Sequence, residues 1–192
     1  TITGNGDMWN WTKGNHVPWF NYHGEITSVQ LPGGLTSIGD NAFYGCESLT
    51  SIDIPASVTS IGDNAFGACK KLTSIAIPVG VTTIGTFAFD YCSELTSINV
   101  SEENEHYCDI DGVLFNKQKT VLVKYPERRE GNSYTVPEGV TKLEIRAFRS
   151  ADLLETIILP KGITKIEAYT FSSADLLETI ILPDGLTSIG AS

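Results

Sequence analysis

Positive charge is scarce in this chain: 192 residues carry 13 lysines and arginines against 23 aspartates and glutamates, a formal net charge of −10. Nucleic acid needs clustered cations to meet its phosphates, so no nucleic-acid partner is expected. Runs of about 20 apolar residues are also missing, which removes a membrane-spanning helix from the expected structure. Histidine is represented only by His16, His23 and His106, and none has a periodic or motif partner. No Gly-x-Ser-x-Gly elbow occurs, and Gly4-x-Gly6 lacks the third glycine and the preceding strand of a nucleotide loop. A catalytic role and a cofactor are therefore not expected. Two glycosylation sequons, Asn10-Trp-Thr12 and Asn99-Val-Ser101, mark positions that a glycosylating host could modify.

What the chain does have is a period. Prolines 32, 55 and 78, and again 137, 160 and 183, stand 23 residues apart, each closing a segment like Leu49-Thr-Ser-Ile52-Asp-Ile54-Pro55. The unit continues with Val58-Thr-Ser-Ile61-Gly62, Ala65-Phe66 and Cys69, and its copies include Leu72, Ile75, Ile77, Val81, Ile84, Ala88, Phe89 and Cys92. Later copies are equally clear at Leu154, Ile157, Leu159, Ile163, Ile166, Thr170 and Phe171. A period of 20 to 50 residues is the signature of a solenoid, in which a unit buries its apolar face only by stacking on its neighbours. Leu-x-x-Ile-x-Ile reads as a short strand that proline ends, because proline cannot donate to a ladder. Val-Thr-Ser-Ile-Gly reads as a second extended segment and Asn64-Ala65-Phe66 as a tight helical corner. Glycines 34, 80, 139, 162 and 185 supply turns after the prolines.

The register is interrupted once. Ser101 stands where the frame predicts proline, and from there to Pro137 is 36 residues, one repeat of 23 plus 13. Residues 111–126, from Asp111-Gly112-Val113-Leu114-Phe115 to Tyr125-Pro126, have the alternation and turn residues of a β-hairpin. This hairpin is expected to project from the array without breaking the stack.

The repeat Leu-Thr-Ser-Ile-x-Ile-Pro-x-x-Val-Thr-Ser-Ile-Gly-x-x-Ala-Phe-x-x-Cys resembles the BspA-like type of leucine-rich repeat over nearly the whole chain. The Asp-Gly-Val-Leu-Phe-Asn-Lys insert and the lead-in from Ile2 to Trp19 resemble features of the same family. The expected fold is a repeat solenoid, a leucine-rich-repeat-like array of about seven short-strand coils with a β-hairpin insertion and an aromatic N-terminal cap. Its boundaries are residues 1–25 for the cap and 26–192 for the solenoid, with the insertion at about 102–131 and the last repeat truncated. The resemblance implies a secreted or surface-exposed protein, mostly bacterial, with adhesion to an extracellular host or neighbouring-cell protein as the usual proposal. The chain also reads as a piece of a longer protein, so missing targeting segments carry no information on location.

Residues that look chemical have plainer readings in this frame. Cys46, Cys69 and Cys92 share a slot that holds Ala151 and Ala174 later, so the slot is small and buried, and free cysteine behaves there as a small hydrophobe. Cys108, beside His106, reads as an isolated thiol. Glu102, Glu103, Glu105, Asp109 and Asp111 lack the alternation and glycine turn of a calcium loop and read as a solvated loop. Lys117, Lys119, Lys124, Arg128 and Arg129 follow and read as its solvating counterpart, with a polyanionic glycan the sharper possibility. Trp9, Trp11, Trp19, Phe20 and Tyr22 suit a cap over the first coil, although exposed indoles would also stack on sugars.

Outward positions of the first strand side form rows, because equivalent residues of neighbouring coils align. One row runs Thr27, Thr50, Thr73, Thr96, Asn132, Glu155, Glu178, and a second is mostly serine. A third runs Gln30, Asp53, Ala76, Asn99, Thr135, Ile158, Ile181, and its two isoleucines are adjacent apolar residues facing outward. Asp53, Asn99, Glu155, Ile158, Glu178 and Ile181 are the candidate binding face. Because residues 150–160 recur identically at 173–183, a duplication also accounts for the isoleucine pair. Three functions stay open: a protein-binding or adhesive scaffold, a carbohydrate-binding module, and a passive spacer.

Overall fold

The computed structural model describes residues 2–12 and 16–191, so residues 1 and 13–15 of the expected cap, and residue 192, lie outside the described residues. Seven short strands form the first side of a stacked coil array: β2 (Ser28–Val29), β4 (Ser51–Ile52), β6 (Ser74–Ile77), β8 (Ser97–Val100), β12 (Ser133–Thr135), β14 (Thr156–Ile158) and β16 (Thr179–Ile181). The second side carries β1 (Gly6–Asp7), β3 (Leu35–Ile38), β5 (Ser60–Ile61), β7 (Thr83–Ile84), β11 (Val121–Lys124), β13 (Lys142–Leu143), β15 (Lys165–Ile166) and β17 (Ser188–Ile189). Pairing along each side is parallel, and Ser28↔Ser51, Ser60↔Thr83 and Thr156↔Thr179 keep the 23-residue register. The molecule is thus a parallel β-solenoid of about seven turns.

Corners between the sides use the Ala-Phe step. Phe43 stacks on Phe66 at 5.6 Å between ring centroids and Phe66 on Phe89 at 6.0 Å; beyond the insertion Tyr125, Phe148 and Phe171 continue the ladder at 5.1 and 5.4 Å. Backbone groups are satisfied from coil to coil, as when Phe43 N–H donates to the Ala65 carbonyl at 2.8 Å and Tyr125 N–H to that of Ala147 at 2.8 Å. Five of the six corners also place a residue in the left-handed region, Asn41 and Asn64 early, then Phe87, Arg146 and Tyr169, whereas Val123 before Tyr125 lies in β11. Asparagine takes that conformation readily, whereas bulky side chains there store strain.

The first coil is covered by the N-terminal segment. β1 adds to β3, the Trp19 ring stacks on Phe43 at 5.7 Å, and the Trp19 indole N–H donates to the Ala42 carbonyl at 3.0 Å. A 3₁₀ helix, Phe20–Glu25, then leads into β2.

The insertion contains the expected hairpin, but it does not project. The expected hairpin is β10 (Val113–Asn116) with β11, which pair antiparallel, while β9 (Tyr107–Ile110) pairs antiparallel with the other edge of β10 and β11 pairs in parallel with β13. The physical reason is that both faces of β10 are apolar, and alternate side chains of a strand point to opposite faces. Leu114 belongs to a front core running from Leu35 to Ile98, whereas Val113 and Phe115 belong to a rear core that reaches Ile166. β10 is a partition between two cores. Its turn, Asp111-Gly112, has positive φ at both residues, and a Cβ on Gly112 would lie 2.7 Å from the Ser97 Cβ.

The approach to the partition is prepared by a buried asparagine. Asn104 occupies the slot of Val58 and Val81, donating to the Pro78 and Val81 carbonyls at 2.9 Å each and accepting from the His106 and Tyr107 N–H groups at 2.8 Å each. These four bonds offset the loss of an apolar side chain and turn the chain into β9.

Candidate functional site

Strand pairing keeps the candidate rows in register within β2–β4, β6–β8 and β12–β14–β16, but among the described residues β8 does not pair with β12, so the insertion separates Asp53 and Asn99 from Glu155, Ile158, Glu178 and Ile181 where the frame expects one continuous row. Ile158 pairs in register with Ile181 and with Thr135, and Glu155 stands one coil from Glu178. Asp53, Asn99, Glu155, Glu178 and Ile181 are exposed and Ile158 is half-buried. The Glu155 carboxylate accepts from the Asn132 amide at 2.9 Å, so this row holds itself together at its acidic end.

The threonine rows are less free than their composition suggests. Thr50 and Thr96 donate their hydroxyls to the Thr27 and Thr73 carbonyls of the preceding coil, and Thr59 and Thr82 do the same on the second side. Their protons are used in stacking coils, leaving only acceptor lone pairs outward. At the N-terminus Trp11 and Trp19 pack against the front core, while Trp9 remains 73% exposed.

Cys46, Cys69 and Cys92 are buried and unbridged, and the Cys69 and Cys92 thiols point at the Phe43 and Phe66 carbonyls at 3.2 Å. Burial pushes the Cys46 thiol up to about 11 and Cys92 to about 12, and raises Cys69 further, so all three are inert. Cys108 is half-buried and its thiol is also raised by burial. Of the basic residues after the acidic run, Lys117 donates to the Glu102 carbonyl at 3.1 Å and Arg129 to that of Asp111 at 3.2 Å, whereas Lys124, expected to be solvated, is buried because it stands in an inward slot. Among the described residues no three metal-ligating side chains converge.

A buried ion network at the seam between the cores escaped the reading of the sequence. The Lys124 Nζ lies 3.1 Å from Asp90 Oδ1 and 3.5 Å from Glu127 Oε1, all three side chains being nearly inaccessible. Arg146 reaches Asp90 Oδ2 at 3.3 Å, and Glu127 Oε1 accepts from the Tyr91 N–H at 2.8 Å. Two arginines then reach over the intervening coil: Arg146 lies 4.0 Å from the Phe87 ring centre and Arg149 4.3 Å from that of Tyr91. Burial pushes the Glu127 carboxyl up to about 7, against the pull of Lys124 and the Tyr91 N–H. The signal was present: Tyr125 fills the Phe slot, which places Lys124 in the Ala slot of Ala42, Ala65 and Ala88.

Beside this network opens a cavity of about 320 Å³, walled by Ile84, Phe87, Tyr107, Val121 and Ile145, with Asp90, Lys124 and Arg146 at its base.

A profile described as the BspA type leucine rich repeat region matches residues 18–130 and 119–192, in six copies. The chain belongs to the BspA-type leucine-rich repeat family. The crystal structure of the pneumococcal vaccine antigen PcpA is similar, with a TM-score of 0.81 and 32% identity over 84% of this chain and 40% of that one. A leucine rich cell surface protein from Faecalibacterium prausnitzii gives a TM-score of 0.78 and 34% identity over 87% of this chain and 45% of that one. A leucine-rich repeat protein from Eubacterium ventriosum gives 0.68 and 28% over 98% and 62%. This BspA-type chain thus spans less than two thirds of the length of each. No curated protein matches it. Proteins of this family are generally non-catalytic repeat scaffolds, and no helix among the described residues is long and apolar enough to cross a membrane.

Proposed function

We propose that this chain is a non-catalytic repeat scaffold, displayed at the cell surface or secreted, that binds an extracellular protein through the first strand side. The observation that carries the reading is the in-register pair Ile158↔Ile181, apolar residues on the outward row, bordered by Glu155 and Glu178. Apolar neighbours with an acidic border suit a partner offering an apolar patch ringed by lysine or arginine. The surface role draws support from the descriptions of the similar proteins, one a vaccine antigen and one a cell surface protein.

A glycan reading has one observation in its favour, the exposed Trp9. The test is a screen of the chain, presented as a multivalent array, against immobilised extracellular-matrix proteins and a glycan panel, with the Ile158→Asp/Ile181→Asp double variant as control. A protein hit lost in the double variant supports the reading. A sugar hit indifferent to it but lost on Trp9→Ala replaces it, and silence on both panels favours a spacer.

A further inference from the structure

The second side of the array has a missing rung. β1, β3, β5 and β7 form one continuous ladder, but among the described residues β7 has β5 as its only ladder partner, because the chain that should extend it turns away into β9. The Ile84 N–H, which would donate to the next coil, is instead held by the Tyr107 hydroxyl at 3.1 Å. The donor of this edge is thus capped, and its carbonyls, which a peptide N–H could reach, are the groups that strand addition would use.

The cavity described above lies along this edge, with the backbone from Ile84 to Phe87 forming one wall and Val121 and Ile145 the other. At its base the Arg146 Nε is buried and has no hydrogen-bond partner, although the same guanidinium is paired to Asp90. A buried unsatisfied donor calls for an acceptor, and a peptide carbonyl supplies one. One partly exposed acid lines the cleft, Glu144, whose Oε1 is paired with Lys142 at 2.7 Å while that lysine leaves Oε2 unengaged.

We propose that this seam cleft is a docking groove for an extended peptide segment of a protein partner, which adds to the open edge of β7. An aliphatic side chain enters the cleft, the adjoining carbonyl accepts from Arg146 Nε, and a lysine or arginine of the peptide meets the Glu144 carboxylate. The inference rests on the protein-binding reading but names a second face, on the other strand side from the row of Ile158 and Ile181.

The test uses the whole 192-residue chain against an immobilised array of random octapeptides, with hits resynthesised for solution titration. Hits are expected to pair an aliphatic residue with a neighbouring lysine or arginine, and to lose binding when N-methylated at alternate residues. Ile145→Trp, at an exposed position, fills the cleft without touching the core, and Arg146→Lys keeps a cation for Asp90 while removing the Nε donor. Each should weaken the peptide by about tenfold or more, as loss of a hydrogen bond to a charged group does. The Ile158→Asp/Ile181→Asp variant should leave it unchanged. An array without hits, or hits that keep their affinity in Ile145→Trp, overturns the proposal. Folded matrix proteins that still bind through Ile158 and Ile181 in that case leave the protein-binding reading standing, whereas silence in both experiments removes both.

Discussion

From residue 10 to residue 86 successive coils are tied by side chains that cross between them, whereas from residue 142 onward the same edge carries ion pairs that close within one coil. In the front half Asn10 Oδ1 accepts from Asp40 N–H at 2.9 Å, Asp40 Oδ1 from Asp63 N–H at 2.8 Å, and Asp63 Oδ1 from Thr86 N–H at 2.6 Å. In the rear half Ile145 and Ala168 stand in the aspartate slot, and the edge shows Lys142–Glu144 at 2.7 Å and Lys165–Glu167 at 2.9 Å. The first arrangement contributes to stacking and the second does not. In a solenoid, stability is roughly a sum of unit terms and nearest-neighbour terms, so this edge adds to the neighbour terms in the front half and only to the unit terms in the rear half.

The sharpest way to break the comparison is at the partition between the halves. Phe115→Ala should cost about 3–5 kcal/mol and Leu114→Ala about 2–5 kcal/mol, the usual range for emptying a packed site. Hydrogen exchange should localise the loss of protection to the rear core for Phe115→Ala and to the front core for Leu114→Ala. Equal loss in both halves for either variant would show that β10 does not separate them.

A smaller effect is expected at the seam. Because burial raises the Glu127 carboxyl to about 7, the folded chain holds this proton more tightly than the unfolded one. Its contribution is then fully present below about pH 4.5, the ordinary value for the group, and is lost as pH rises through about 7. Urea midpoints of the parent chain should fall across that window, and Glu127→Gln should flatten the slope. A slope unchanged in the variant would assign the pH dependence to other groups.

The smallest effect sharpens the contrast between the edges themselves. Asp63→Ala removes a bond between coils and should cost about 1 kcal/mol. Lys165→Ala removes an exposed pair within a coil and should stay within about 0.5 kcal/mol of the parent. Denaturant titration of both variants under one set of conditions decides the matter, and equal costs would dissolve the distinction.

Legibility from sequence followed the period. The proline, Val-Thr-Ser-Ile and Ala-Phe slots recur at 23 residues, so the coils, their inward faces and the outward rows could be placed before any coordinate was known. The partition could not be placed in the same way, because Val113-Leu114-Phe115 alternates in facing but not in polarity, and a hairpin projecting from the array was the simpler reading. Two polar substitutions in apolar slots, Asn104 for valine and Lys124 for alanine, were the available signs that the ordinary packing stops there. The ion network stayed hidden for a different reason. Asp90, Lys124 and Arg146 lie in three coils whose alignment depends on first recognising Tyr125 as a member of the phenylalanine ladder. The candidate face was legible as a row, but its hydroxyl protons could be assigned to the ladder only from the bonds they make.

Since β10 gives one face to each core, the coil number behind it is decoupled from the coil number in front. A unit can be gained or lost beyond β13 without altering what Leu114 touches, and the identical segments 150–160 and 173–183 are the mark such a gain leaves. The partition thus lets the array change its reach by whole units while the covered end and the seam keep their geometry.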